Sequence, residues 1–260
     1  IDSLNFLVNE VGMNRLKIPS GEMNNAPLVL EHSRTNHDLI LSTGMSSMSE
    51  IETTLGVIAF GFISELTHKP CIQGFKEAYL SKEGKEILNK KVTLLHCTTE
   101  YPAPLSEINL RAMNSMSKEF DLPIGYSDHS EGIEVSLAAV ARGATVIEKH
   151  FTLDKNQVGP DHKASLEPNE LKDMISGVRK IDLALGSYIK KPTSSELKNK
   201  LIARKSIYSS KSLKKGHVIK ESDIDILRPG NGIEPIYFWE IIGKKIEKDT
   251  DKGEEINVKF

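Results

Sequence analysis

Cysteine is scarce in this chain: Cys71 and Cys97 are the two in 260 residues. That is too few for a disulfide framework, and it points to the cytoplasm. Long apolar runs are also missing. None approaches the ~20 residues that cross a bilayer, so no transmembrane helix is expected. Nor is there a surplus of positive charge. The 34 Lys and Arg are set against 36 Asp and Glu, for a formal net charge of −2. Without a global basic field, nucleic acid is a poor partner. The first residues, Ile1-Asp2-Ser3-Leu4-Asn5, carry neither an initiator Met nor a basic-then-apolar leader, and read as a cut inside a domain. What is present is ordinary: 38% hydrophobic and 27% charged residues, as in globular proteins that fold in water. The length sits near the upper limit of one core, which suggests one large domain and one small one.

Short apolar runs recur, each followed by a polar or glycine-bearing cluster. The runs are Arg15–Ile18, Leu39–Leu41, Val92–Leu95, Leu122–Gly125 and Ala144–Ile147. The clusters are Pro19-Ser20-Gly21-Glu22, Ser42-Thr43-Gly44-Met45, His96-Cys97-Thr98-Thr99, Tyr126-Ser127-Asp128-His129 and Glu148-Lys149-His150. Runs without alternation suit strands of a parallel sheet buried on both faces. Between them lie helical stripes. Ile133, Leu137 and Val140 share one face, as do Leu171, Met174, Ile175, Val178, Ile181 and Leu185, ending at Gly186.

Five strand–helix units in series predict an α/β fold, a (β/α)8 TIM barrel of which this chain holds about five strands. Three units are expected upstream, and Asp2–Asn9 looks like the helix of the unit before. In such a barrel the polar clusters fall at the carboxyl ends of the strands, where the chemistry sits. Phe60–Lys91 is too long for a barrel loop and is expected to be a surface insertion. The predicted division is a barrel part over 1–188, a charged linker over 189–202 and a small β-rich domain over 203–260, where turns such as Arg228-Pro229-Gly230-Asn231-Gly232 separate short β-like runs.

Several residues could carry chemistry. His129 and His150 fall at adjacent strand ends, and two neutral imidazoles there could hold a divalent transition metal. Two hydrogen-bonded rim histidines are the alternative, since two ligands are fewer than most metal sites supply. Lys17, Ser20, Ser42 and Ser127 come from three strand ends. With the backbone amides near Gly21 and Gly44 they suit a phosphate or carboxylate; singly, each serine is a turn or cap residue. Glu22 and Asp161 are possible acid/base or sugar-hydroxyl contacts, or else solvated turn carboxylates. Thr98, Thr99 and Tyr101 offer hydroxyls at another strand end, while Cys97 reads as packed and inert. Arg228 on its turn is a surface charge or a forked donor to an acyl oxygen.

Taken together, these segments resemble the N-acetylneuraminate (sialic acid) synthases. The resemblance rests on Lys17-Ile18-Pro19-Ser20-Gly21-Glu22, Leu41-Ser42-Thr43-Gly44-Met45 and Leu95-His96-Cys97-Thr98-Thr99-Glu100-Tyr101-Pro102. It continues through Gly125-Tyr126-Ser127-Asp128-His129, Ile147-Glu148-Lys149-His150-Phe151-Thr152-Leu153-Asp154 and Gly159-Pro160-Asp161-His162. The tail resembles that family's antifreeze-like (SAF) domain.

The resemblance implies a TIM barrel with a C-terminal SAF domain and a domain-swapped homodimer. It implies a reaction in which carbon 3 of phosphoenolpyruvate attacks the aldehyde of an open-chain N-acetylated amino sugar. Charge develops at carbon 2, water adds there, and phosphate leaves by C–O cleavage. By the same resemblance His129 and His150 bind a manganese-type cation, with magnesium or cobalt as substitutes. Lys17, Ser20, Ser42, Thr99 and Ser127 contact phosphoenolpyruvate. Glu22, Tyr101 and Asp161 contact the sugar and the water on the metal, with Glu22 and Asp161 as the catalytic carboxylates. Arg228 reaches the partner's site and holds the N-acetyl group. N-acetylmannosamine is the leading acceptor expected. Alternatives are a legionaminate or related synthase taking a 2,4-diacetamido sugar, and a non-catalytic carbohydrate-binding protein.

Overall fold

The computed structural model describes residues 1–159 and 161–259. They form two compact units, Ile1–Gly186 and Ser187–Phe260.

The first unit opens with α1 (Asp2–Asn5), which continues as a wider turn over Phe6–Glu10. Then come β1 (Arg15–Ile18), α2 (Ala26–Arg34), β2 (Asp38–Ser42), α3 (Met48–Ile63), α4 (Ile72–Leu80) and α5 (Lys82–Lys91). They are followed by β3 (Val92–Cys97), α6 (Ala112–Phe120), β4 (Ile124–Asp128), α7 (Glu134–Ala141), β5 (Ile147–Lys149) and α8 (Pro168–Leu185). The five strands are parallel and adjacent in chain order. The two helical stripes predicted from spacing are α7 and α8.

Alternate strand residues face the helices. Leu16, Ile18, Leu39, Leu41, Val92, Leu94, Ile124 and Tyr126 form one core with Val29, Leu55, Ile58, Met113 and Ala139 from the helices. On β1 the neighbours Arg15 and Lys17 are exposed while Leu16 and Ile18 are buried. The expectation of strands buried on both faces therefore fails at β1. Its polar residues line the face away from the helices, where a barrel keeps its working interior. β4 and β5 also reach further than their apolar runs, so Ser127, Asp128, Glu148 and Lys149 lie within strands.

The sheet is curled. β1 and β5 are four strand spacings apart, about 19 Å in a flat sheet at ~4.8 Å per strand. Yet Lys17 Nζ on β1 lies 3.2 Å from Glu148 Oε1 on β5. Two side chains cannot bridge a flat sheet of that width, so the strands follow an arc. The result is a half-barrel.

The stretch from Phe60 to Lys91, expected as a surface insertion, is built into the helical layer. Phe60 ends the buried stripe of α3 and meets the Phe75 ring of α4 edge-on at 5.2 Å. Ala78 and Leu88 join the same core. Here α4 lies along α3, with Phe75 against Gly56 and Tyr79 near Glu52 early in α3.

The second unit contains α9 (Ser194–Ala203), β6 (Ser206–Ser209), β7 (Ile224–Leu227) and α10 (Phe238–Ile241), with β6 and β7 antiparallel. The predicted linker 189–202 is largely α9. Thr193 caps it, accepting from the Glu196 amide while its own amide donates to the Glu196 carboxylate. Ile207, Leu213, Ile219, Ile241, Ile246 and Ile256 make a small core. Asp223 is fully buried, forms an ion pair with Lys211 Nζ (2.6 Å) and accepts from His217 Nε2 (2.7 Å) and the Lys220 amide (3.0 Å). Among the described residues no helix is long and apolar enough to cross a membrane.

Candidate active site

Parallel pairing puts every strand's carboxyl end on one rim, and the polar residues there form a chain of contacts. Glu148 is its hub. Its Oε1 accepts from Ser127 Oγ at 2.7 Å and pairs with Lys17 Nζ at 3.2 Å. Ser127 Oγ is in turn 3.3 Å from His129 Nε2. The His129 ring lies 4.2 Å from that of Tyr101 and 5.2 Å from that of His150, centroid to centroid. His150 Nδ1 approaches Asp161 Oδ2 at 3.6 Å, outside hydrogen-bond range. Lys17, Ser127, His129, Tyr101, His150 and Asp161 thus meet at one rim. Ser20 and Ser42, grouped with Lys17 and Ser127 from the sequence, fall outside this chain of contacts.

The tautomer of His129 follows from its partners. Nδ1 lies 2.7 Å from the Thr98 carbonyl, which only accepts, so Nδ1 carries the proton. Ser127 has one hydroxyl proton, and Glu148 takes it. The lone pair on His129 Nε2 is therefore unclaimed. Burial pushes the imidazole pKa below its ordinary value, outweighing the Thr98 carbonyl, which raises it. A neutral ring with a free Nε2 is what a metal ligand requires. Among the described residues, no cluster of three or more His, Cys, Asp and Glu side chains could hold a metal ion. His129 and His150, with ring centroids 5.2 Å apart, offer two imidazole donors at this rim.

A second group surrounds Gly44, in the loop after β2. The Gly44 amide donates to Ser20 Oγ at 3.0 Å, and Ser20 Oγ is 3.2 Å from Cys97 Sγ. A Cβ at Gly44 would lie 2.3 Å from Thr99 Oγ1, 2.7 Å from Cys97 Sγ and 2.9 Å from Ser20 Oγ. Only glycine lets these three side chains converge. Ser42, at the end of β2, is 1% exposed and its hydroxyl has no hydrogen-bond partner. A buried, unpartnered hydroxyl at a strand end is ready to donate to a ligand. Glu22 stands apart from both groups and accepts instead from Asn25 Nδ2 at 2.7 Å. Arg228 is exposed on the second unit. Pro160, within the Gly159–His162 motif, lies outside the described residues.

Sequence reasoning missed Glu148 as hub, although it stands between quoted neighbours. It also missed a buried pair on the strands' helix-facing side. Lys149 Nζ lies 3.3 Å from Asp128 Oδ2, with side chains 1% and 0% exposed. Burial lowers the Lys149 pKa, against the attraction of Asp128. Strand alternation was the available signal: residues next to lumen-facing Ser127 and Glu148 must face the helices, where a charge needs a partner.

Residues 1–190 match the NeuB family, and residues 204–256 match the SAF domain. The chain belongs to the NeuB family. It is 47% identical over 250 residues to the N,N'-diacetyllegionaminic acid synthase of Campylobacter jejuni, covering 96% of this chain and 68% of that protein. It is 39% identical to the enzyme of the same name from Legionella pneumophila, covering 96% of this chain and 64% of that one. A crystal structure of N-acetylneuraminic acid synthetase from Leptospira borgpetersenii superposes with a TM-score of 0.61 at 34% identity, over 76% of this chain and 60% of that one. The chain thus spans about two thirds of the length of these curated relatives.

Proposed function

We propose that this NeuB-family chain carries the working face of a nonulosonate synthase that condenses phosphoenolpyruvate with a 2,4-diacetamido sugar and releases phosphate. One observation carries the reading: Lys17, Ser127, Glu148, His129, Tyr101 and His150 join in one chain of contacts at the strand ends. That chain gathers an ammonium, hydroxyls and a pair of imidazoles on one rim, which supports a site for two small substrates. The sugar is assigned from the relatives. Likeness to two proteins named N,N'-diacetyllegionaminic acid synthase supports a diacetamido acceptor here, rather than the N-acetylmannosamine expected from sequence.

Lys17 and the hydroxyls of Ser20, Ser42, Thr99 and Ser127 would hold the phosphate and carboxylate of phosphoenolpyruvate. Positive charge and donors set in advance stabilise the ester's charge until the C–O bond breaks. Tyr101, Asp161 and Glu22 would position the open-chain sugar. Asp161 is nearest the imidazoles, while Glu22 would have to leave Asn25 to take part. Arg228 would reach the acceptor's N-acetyl group from a second copy of the chain. A divalent cation on His129 and His150, manganese by preference, would supply Lewis-acid polarisation of the aldehyde oxygen. Holding both substrates side by side would lower the barrier by making their encounter intramolecular.

The test is phosphate release by the intact protein with phosphoenolpyruvate, Mn²⁺ and each candidate sugar. Release with a 2,4-diacetamido hexose well above that with N-acetylmannosamine is expected. Preference for N-acetylmannosamine would move the assignment to N-acetylneuraminate synthesis, and no release with any sugar would remove the enzymatic reading.

A further inference from the structure

The buried pair Asp128–Lys149 lies one residue before each histidine. Asp128 and Lys149 are directly opposed in the β4–β5 ladder, and they are the last paired residues in it. Past them the main chain no longer holds the two strands in step. The His129 carbonyl accepts from the Ala103 amide at 2.9 Å, and the His150 carbonyl from the Leu166 amide at 2.9 Å. The two histidines are thus drawn toward different neighbours. Each ring's polar tie differs too: His129 is fixed by the Thr98 carbonyl at 2.7 Å, whereas His150 Nδ1 approaches Asp161 at 3.6 Å, beyond hydrogen-bond range.

The side-chain network fills that gap. Asp128 Oδ1 accepts from the Ser130 amide (2.8 Å) and hydroxyl (2.6 Å), and Oδ2 accepts from Ser136 Oγ (2.6 Å) at the start of α7. Lys149 Nζ pairs with Asp128 Oδ2 and also donates to the Ser130 carbonyl. One lysine on β5 is therefore bonded to the strand end and the following loop of β4, on either side of His129. A buried ion pair seldom adds stability over an apolar pair of similar volume, so its presence here calls for another role. An apolar pair would fill the space without fixing how far β5 advances along β4.

We propose that the Asp128–Lys149 pair is a positioning device, which sets His150 against His129 so that both imidazoles bind one divalent cation. The proposal rests on the metal reading above. Neither residue touches substrate; both act through the strand ends.

The experiment measures binding of Mn²⁺ alone to the intact protein by calorimetry, with pulsed EPR to count coordinated imidazole nitrogens. Lys149→Met and the neutral double variant Asp128→Asn/Lys149→Met are compared with the native protein and His150→Ala. The native protein should show two nitrogens. The variants should remain folded, lose about tenfold or more in affinity, as for other supports of metal ligands, and show one nitrogen, like His150→Ala. Two nitrogens at native affinity in either folded variant would overturn the proposal while leaving the metal site intact. Absence of Mn²⁺ binding by the native protein would remove the metal reading and this proposal together. If neither variant folded, the pair would be a structural necessity and the positioning role would be wrong.

Discussion

Glu148 occupies the place where a substrate anion is proposed to bind, and replacing it should tighten that binding. In the unliganded site its carboxylate holds Lys17 Nζ at 3.2 Å and takes the Ser127 proton at 2.7 Å. An incoming phosphate must displace it from both and then remain beside its charge. The two side chains are 37% and 33% exposed, so solvent screens the pair, and its net value is about 0.5–1 kcal/mol. Repulsion of the bound anion by a retained carboxylate adds a cost of similar size, about 1 kcal/mol. Glu148→Gln keeps an acceptor for Ser127 but removes the charge. Inorganic phosphate should then bind roughly 10- to 30-fold more tightly, since about 1.4 kcal/mol is tenfold. Titration calorimetry at low ionic strength measures this directly, and the gain should shrink as salt is added. Unchanged or weaker phosphate binding by Glu148→Gln would mean that Lys17 does not receive the anion.

Other substitutions probe the remaining parts. His129→Ala should abolish metal-dependent turnover with little change in the melting temperature; retained turnover would refute its role as a ligand. Gly44→Ala would drive a methyl against Thr99, Cys97 and Ser20, costing about 1–3 kcal/mol of stability and weakening phosphate binding. Native phosphate affinity in that variant would place the anion elsewhere. Arg228→Ala should raise KM for the sugar and leave that for phosphoenolpyruvate unchanged; equal effects on both would remove its acceptor role. In the second unit, burial works to raise the Asp223 pKa, but hydrogen bonds from Lys211, His217 and the Lys220 amide overcome it and hold the pKa far below the carboxylate range. The stability it lends is thus full above pH ~4, the unfolded value, and is lost as pH falls toward the lowered pKa. Asp223→Asn should lose about 1–3 kcal/mol at neutral pH and flatten the acid limb of chemical denaturation; an unchanged acid limb would contradict this.

Much of this site was legible before any coordinates, because strand ends in a parallel array share one rim. Once Arg15–Ile18, Leu39–Leu41 and Leu122–Gly125 are taken as parallel strands, Lys17, Ser42 and Ser127 must lie toward one end of the sheet. Depth was harder to read. Ser127 and Glu148 looked like loop residues because hydrophobicity stops before the strand does; a half-barrel's inner face keeps strand geometry while carrying polar side chains. The helices over 72–91 looked like an insertion because their surfaces are polar, and only their contact with α3 reveals the buried Phe60, Ala78 and Leu88. Asp128 and Lys149 were hidden for the opposite reason. Charged residues beside two strand-end histidines suggest a ligand contact, while alternation turns these two toward the helices.

The bond from Lys17 to Glu148 is a chord drawn across the arc of the sheet. Whatever straightens the arc lengthens the chord, and whatever cuts the chord leaves the arc to be held by something else. On the proposed reading, the substrate anion does the cutting, and by bridging Lys17 to Ser127 it draws a new chord, from β1 to β4, through its own oxygens. Ligand affinity and sheet curvature are then two faces of one equilibrium, and linkage requires each to respond to the other by the same factor. Substitutions in the outer helices that alter how tightly the sheet is bent should therefore change phosphate affinity without touching a residue on the rim.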